Sequence, residues 1–427
     1  MRLSTIFLHI FVAGHVIVTS NIYFFAGNAG RPLALALVVC PILYFSVVGL
    51  LRNRLLDGFL PIIIFTYFIV AVVIFSVRAG TDPNFNIVAL FYSIPGFVVF
   101  LSFVRRGEYT RVLNVLLLYS AIYVIVYLAL VAILESNLMA FPTEMLLGDS
   151  VRGERVVSAG FMSYFVFLFC LASLRRKFSF RVLLLFALAG VAMWLTGSRT
   201  FTAIALISSA IFLAFGRTGL NSLRHIAFWL FAIIGLVMAY GIIDSGFNPF
   251  GIETTDGSTI ARRFSYDIMR DNIQQFPIVG TGLPSNTYTS GVTDLLYYLG
   301  RTAVDGDVDT GGVSFTDLGM IGIWFHFGLI GVSLYVLSVV ISCFQRYKPA
   351  DMNINDPRMT ALLIICASVG LYCSISPQVW TGSGGIFFSV ALSVWLADIL
   401  KSFGSAQRRV FFKRKPYPTR ESPIPDA

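Results

Sequence analysis

Twelve long apolar runs dominate the chain, at about 5–26, 32–51, 59–78, 87–104, 112–133, 156–174, 182–197, 200–216, 226–243, 317–344, 359–376 and 386–400. A membrane-spanning helix takes roughly 17–25 apolar residues. In lipid a backbone satisfies its own N–H and C=O groups only as a helix or a closed barrel, and unbroken apolar runs select the helix. The expected fold is therefore all-α: a polytopic integral membrane protein of about twelve spans. The runs 182–197 and 200–216 are short, and only the polar break around Gly197-Ser198-Arg199 divides them. Of the 427 residues, 57% are hydrophobic and 12% charged, where a soluble domain carries about 25% charged residues. Such a composition excludes a soluble enzyme, a disordered chain and a disulfide-stapled secreted module.

Lys and Arg set the expected orientation. With the N-terminus inside and the spans alternating, the inner loops hold 22 of the 31 basic residues and 7 of the 22 acidic ones. Both termini are then cytoplasmic by the positive-inside rule. The net charge of +9 is a topology signal and not a nucleic-acid signal, because the basic residues are split among short loops. The first run is too long and too weakly basic for a cleavable signal peptide and reads as the first span. Cys40, Cys170, Cys343, Cys366 and Cys373 all fall in expected helices and read as buried apolar thiols, with no CxxC metal pair.

The expected organisation is an N-terminal bundle of about nine helices over 1–243, a large outer loop over 244–316, about three helices over 317–400, and a basic disordered tail over 401–427 that meets the anionic inner leaflet. A second outer segment covers 134–155. A connection of that length is usually functional or disordered, and the large loop is rich in Phe and Tyr, which argues for structure.

Within that loop, 258–275 reads as an amphipathic helix capped by Asp256 or Ser258. Ile260, Phe264 and Ile268 form one apolar stripe. Arg263, Tyr266 and Arg270 lie on another face, with Arg262 alongside. Pro277 then ends the helix, and Gly280 and Gly282 permit a tight turn with close backbone approach. Two readings stand side by side: Asp267 and Asp271 pair with the arginines on a solvated face, or the arginines grip phosphate oxygens as guanidinium groups do. Arg199, at the expected outer boundary, is either a snorkelling side chain or a functional charge turned inward by the Gly-Ser before it. The Asp305-Gly306-Asp307-Val308-Asp309 stretch fails the calcium-loop template, which needs Gly at its sixth position and Glu at its twelfth. Trp380 stacks on a sugar face or sits in an interfacial aromatic belt. His9, His15 and His225 show no zinc-ligand spacing, and no metal or other cofactor is expected.

Thr196-Gly197-Ser198-Arg199-Thr200 between two helices, an outer loop holding Arg262-Arg263, Pro277 and Gly280-Thr281-Gly282, and then Asp317-Leu318-Gly319 through Phe327-Gly328-Leu329-Ile330-Gly331 resemble the O-antigen polymerase and ligase superfamily. The likeness runs over roughly 190–335. It implies a GT-C-like glycosyltransferase of the bacterial inner membrane, acting at the periplasmic face on oligosaccharides carried by undecaprenyl pyrophosphate. A polymerase of this kind extends O-antigen, capsule or exopolysaccharide without a metal, together with a chain-length regulator and export complex. The pyrophosphate would fall to Arg199, Arg262, Arg263 and Arg270, with Tyr266, Gly280, Gly282 and Trp380 lining the substrate. The acceptor hydroxyl needs a general base. Ligase-like members carry a histidine near the start of the helix after the loop, where this chain has Val313-Ser314-Phe315-Thr316-Asp317. That departure favours a polymerase over a ligase and makes Asp317 the first choice of base, unless it only complements the helix N-terminus. His326 lies deeper. The rival class is a transporter or a flippase for lipid-linked oligosaccharide, which would show related halves and broken or charged helices near the midplane.

Overall fold

The computed structural model describes residues 2–52, 54–79, 82–83, 85, 93–104, 106–136, 146–147, 155–156, 160–196, 205, 209, 270, 273–283, 319–344, 356–362 and 364–365. Among them the chain is mostly helical: α1 (Leu3–Thr19), α2 (Gly30–Leu51), α3 (Leu55–Ala79), α4 (Ser93–Val104), α5 (Tyr109–Ser136), α6 (Gly160–Arg176), α7 (Phe180–Leu195) and α8 (Gly319–Phe344). A two-residue antiparallel pair joins β1 (Leu146–Leu147) to β2 (Arg155–Val156), with Leu146 opposite Val156.

Among the described residues, three helical stretches are long and apolar enough to cross a membrane: Pro32–Leu51, Gly58–Arg78 and Tyr109–Ser136. Their burial pattern says what surrounds them. On α3, Phe68, Val72 and Phe75 are buried while Ile63, Val70 and Val77 are exposed. A helix that is apolar all round, with one face uncovered, belongs in hydrocarbon. Hydroxyls in such a setting need local partners. Ser46 donates to the Ile42 carbonyl (2.9 Å) and Ser173 to the Phe169 carbonyl (2.8 Å), one turn back in each case. Cys170 is buried as expected, but Cys40 is exposed on α2.

Two element boundaries differ from the sequence expectation. The first span was expected over 5–26, but α1 stops at Thr19 and a 3-10 stretch follows over Ile22–Ala29. Asn21 adopts the left-handed conformation at φ 56°, which Asn tolerates and which ends a helix. The hydroxyls of Thr19 and Ser20 meanwhile donate to the carbonyls of His15 and Ile17 in the last turn. The sixth span was expected from 156, but Val156 lies in β2 and α6 starts at Gly160.

Sequential helices pack side by side: α1 on α2, α2 on α3, α5 on α6 and α6 on α7, with α1 also meeting α5, and α4 meeting α2 and α3. The centre is aromatic. The Phe11 ring meets Phe100 edge-on at 5.4 Å, and Phe45 meets Phe103 at 5.7 Å, geometries that suit the ring quadrupole. Small residues let the helices close. A Cβ on Gly14 of α1 would stand 2.7 Å from the Leu37 Cβ of α2, and one on Gly96 would stand 2.6 Å from the Phe11 ring.

One end of the bundle gathers positive charge. Glu108 lies 3.7 Å from Arg2 and pairs with Arg111, joining the starts of α1 and α5. Arg106 donates to the Ser102 carbonyl (2.8 Å) and stacks over the Phe103 ring (4.8 Å), within the field of Arg52 and Arg54 at the end of α2. Elsewhere Arg358 forks onto both carboxylate oxygens of Asp356 (Nε to Oδ1 3.0 Å, Nη2 to Oδ2 2.6 Å).

Gly14→Ala should cost about 1–3 kcal/mol by overpacking the α1–α2 contact, read as a lower thermal midpoint of the detergent-solubilised chain. Burial alone would raise the Asp356 pKa, but the hydrogen bonds and charge of Arg358 bring it below its ordinary value. A depressed carboxylate stabilises the fold above its unfolded pKa, about 3.9. That stability is lost as pH falls through the lowered folded value. Asp356→Asn should therefore lower the midpoint at pH 7 and flatten its acid dependence below pH 4.

Candidate functional site

The described part of the expected site is built around a helix that breaks. The sequence reads 317–344 as one continuous span, but Gly328 in α8 has φ 59° and ψ −168°, a region open essentially to glycine alone. The break removes the helix bonds that Leu329 and Ile330 would donate to the carbonyls of Phe325 and His326. The segment Phe276–Leu283 replaces them. Leu329 N–H donates to the Pro277 carbonyl (2.9 Å) and Ile330 N–H to the Ile278 carbonyl (3.1 Å). The Phe325 carbonyl accepts from the Thr281 N–H (2.8 Å) and hydroxyl (3.0 Å), and the His326 carbonyl accepts from Gly282 N–H (3.0 Å).

Helix α3 closes the third side. Tyr67 donates its hydroxyl to the Phe327 carbonyl (2.6 Å), with the Val279 carbonyl 3.3 Å away. Leu283 N–H donates to the Ala71 carbonyl (3.0 Å). Tyr67, Ala71 and Arg78 recur at i, i+4 and i+11 and so share one face of α3. Arg78 donates from Nη1 to the Gly280 carbonyl (2.7 Å) and lies over the Phe276 ring at 4.1 Å. The backbone of the inserted segment meets α3 between Phe75 and Ala71, about 6 Å of helix rise, and the Tyr67 and Arg78 side chains converge on the adjacent carbonyls of Val279 and Gly280. The sequence places 244–316 in one outer loop; this part of it is bonded to α3 at Ala71, about 10 Å of helix rise in from the Arg78 end of that span.

The two glycines expected to permit a tight turn do so. Gly280 (φ 74°) and Gly282 (φ 94°) are both buried. A Cβ on Gly280 would stand 2.6 Å from the His326 carbonyl oxygen, and one on Gly282 would stand 2.6 Å from the Phe75 nitrogen. Their role here is backbone packing. His326 is buried beside them, with Nδ1 2.9 Å from the Gly282 carbonyl; because a carbonyl only accepts, Nδ1 carries the proton. The imidazole is therefore a strut inside the insertion. Trp324 donates Nε1–H to the Pro277 carbonyl (3.0 Å).

Of the remaining expected site residues, Arg270 is helical and exposed, six residues before the insertion. Arg199, Arg262, Arg263, Tyr266, Asp317 and Trp380 lie outside the described residues, as does the acidic stretch 305–309. Tyr67, Arg78, Thr281 and Gly328 were not singled out as site residues. The available signals were a glycine inside a long apolar run and an arginine closing another. Among the described residues no group of three or more His, Cys, Asp or Glu gathers at metal-ligand distance. An apolar groove of about 550 Å³ runs between α2 and α3, lined by Leu35, Val39, Leu43, Ile62, Phe65 and Ile69 among others. It lies on the face of α3 opposite Tyr67 and Arg78 and is separate from the insertion. No known family, curated protein or solved structure matches the chain.

The insertion depends on Gly328 having no side chain. Gly328→Ala should cost about 1–3 kcal/mol for the forbidden backbone conformation and more for the clash with the Ile278 backbone. The expected readout is a lowered thermal midpoint together with faster proteolysis within 276–283. Tyr67→Phe, which removes one hydroxyl, should lower the midpoint less.

Proposed function

We propose that the chain is a membrane glycosyltransferase that polymerises a polysaccharide from undecaprenyl-pyrophosphate-linked repeat units at the periplasmic face of the bacterial inner membrane, with both termini cytoplasmic. The growing chain leaves its pyrophosphate carrier and joins a hydroxyl of the incoming unit. The carrier is already an activated leaving group, so no nucleotide sugar is required. Arg199, Arg262, Arg263 and Arg270 neutralise the pyrophosphate as its bond to the sugar breaks. Asp317 takes the acceptor proton. Tyr266 and Trp380 line the substrate path, Gly280 and Gly282 shape the packed turn that supports it, and the product passes to a chain-length regulator and export complex.

One observation carries the reading. The segment that follows the arginine-bearing stretch 258–275 is bonded into α3 and α8, so the loop that bears Arg270 is tied to the bundle at the end of an apolar helix. An electrostatic clamp works only when its charges are held in place before the substrate arrives. The sequence order of motifs adds the polymerase assignment.

The broken α8 supports a second reading, a transporter or flippase, because discontinuous helices hold substrates at the midplane of many carriers. Against it, the carbonyls of Phe325, His326 and Phe327 around the break already accept from Thr281, Gly282 and Tyr67. A ligase remains the nearest alternative within the glycosyltransferases.

Replacement of the chromosomal gene by Arg199→Ala separates these readings. With protein at normal level, the expected result is loss of surface polymer by gel and accumulation of single lipid-linked repeat units on the outer leaflet. Accumulation on the inner leaflet would identify a flippase. Free polymer that fails to reach its final acceptor would identify a ligase. Unchanged polymer would remove Arg199 from the mechanism.

A further inference from the structure

We propose that Arg78 is a phosphate-contact residue for the pyrophosphate carrier, an inference that rests on the function proposed above. The guanidinium is fixed twice, by its hydrogen bond to the Gly280 carbonyl and by the Phe276 ring beneath it. A guanidinium has five N–H donors, and these two contacts use one of them. The side chain is half-buried. Among the described residues no carboxylate lies within ion-pair distance, in contrast to Arg2, Arg111 and Arg358, each of which has one.

The surroundings select the ligand chemistry. Arg78 closes the last turn of a long apolar helix, at the depth where hydrocarbon gives way to headgroups. A cation with no carboxylate partner among the described residues is matched there by an anion, and guanidinium binds phosphate oxygens through paired N–H groups. The contacts to Phe276 and Gly280 orient the fork in advance, so little rotamer entropy is lost on binding. The same contacts attach Arg78 to the segment that follows Arg270, so a phosphate held by Arg78 lies beside the loop rather than out in the bilayer.

Binding by the purified full-length chain in neutral-lipid nanodiscs tests this, with farnesyl pyrophosphate, inorganic pyrophosphate and phosphatidylglycerol as probes, and with Arg78→Gln, Arg78→Lys and Tyr67→Phe as variants. Arg78→Gln should weaken farnesyl pyrophosphate about tenfold or more, the loss of a charged hydrogen bond, and should weaken inorganic pyrophosphate in parallel. Arg78→Lys should lose less, since it keeps charge without the fork. Tyr67→Phe loosens the same insertion without changing charge, and should lower the thermal midpoint while changing affinity less than Arg78→Gln does. Native affinity in Arg78→Gln would overturn the assignment and leave the proposed function standing. So would an affinity loss equal to that of Tyr67→Phe, because Arg78 would then only hold the loop. Loss of phosphatidylglycerol binding alone would reassign Arg78 to bulk lipid headgroups and overturn the carrier assignment. If the native chain binds neither pyrophosphate probe, both this inference and the proposed function fail.

Discussion

In hydrocarbon a backbone N–H or C=O has no water to turn to, so a helix that breaks inside a membrane must hand its freed groups to protein. The break at Gly328 meets this demand through one short segment. Pro277 and Ile278 supply the acceptors, Thr281 and Gly282 supply donors, and Tyr67 covers the carbonyl of Phe327. Each unsatisfied group would cost on the order of several kcal/mol. The insertion and the break are therefore one structure: neither persists in lipid without the other. Most of the specific contacts between α3, α8 and the loop derive from that single requirement.

Glycine is the residue that makes the requirement solvable. Gly280, Gly282 and Gly328 all hold positive φ, and Gly280 and Gly328 lie back to back. A side chain on either would drive the two backbones apart and open the hydrogen bonds between them. Packing among α1 to α7 rests more on methyl and ring contacts, which are less directional than paired backbone groups. Among the described residues, most of the long-range hydrogen bonds thus gather where the chain departs from regular helix. Arg270, invoked for the proposed reaction, precedes that region by six residues, and a charge clamp gains from a fixed support.

Parts of this were legible in the sequence because local chemistry dictates them. Apolar run length located α2, α3 and α5 to within a few residues, and Pro277, Gly280 and Gly282 marked the end of a helix and a tight turn where one occurs. The misreadings share a cause. Residues 20–26 are as apolar as a helix, but Asn21 takes a left-handed conformation that hydropathy does not register. Val156 is apolar and buried, but in a strand pair and not in α6. Gly328 looks like one more small residue in a span, because nothing local says that a segment some fifty residues earlier will donate to its neighbours' carbonyls. Arg78 reads as an ordinary charge at a helix end until Phe276 and Gly280 are seen beside it.

The sequence by itself determined that the chain is helical, that lipid covers much of it, and where its basic residues alternate, since each follows from composition and spacing along a few turns. Only the tertiary structure decided that a stretch of the long loop packs against α3 at Ala71 and Phe75, that α8 breaks to receive it, and that Arg78 is held against the loop. Those outcomes depend on hydrogen bonds between residues roughly fifty to two hundred and sixty positions apart. A backbone donor has the same chemistry at every position, so the choice of partner is written in the packing and not in the residue.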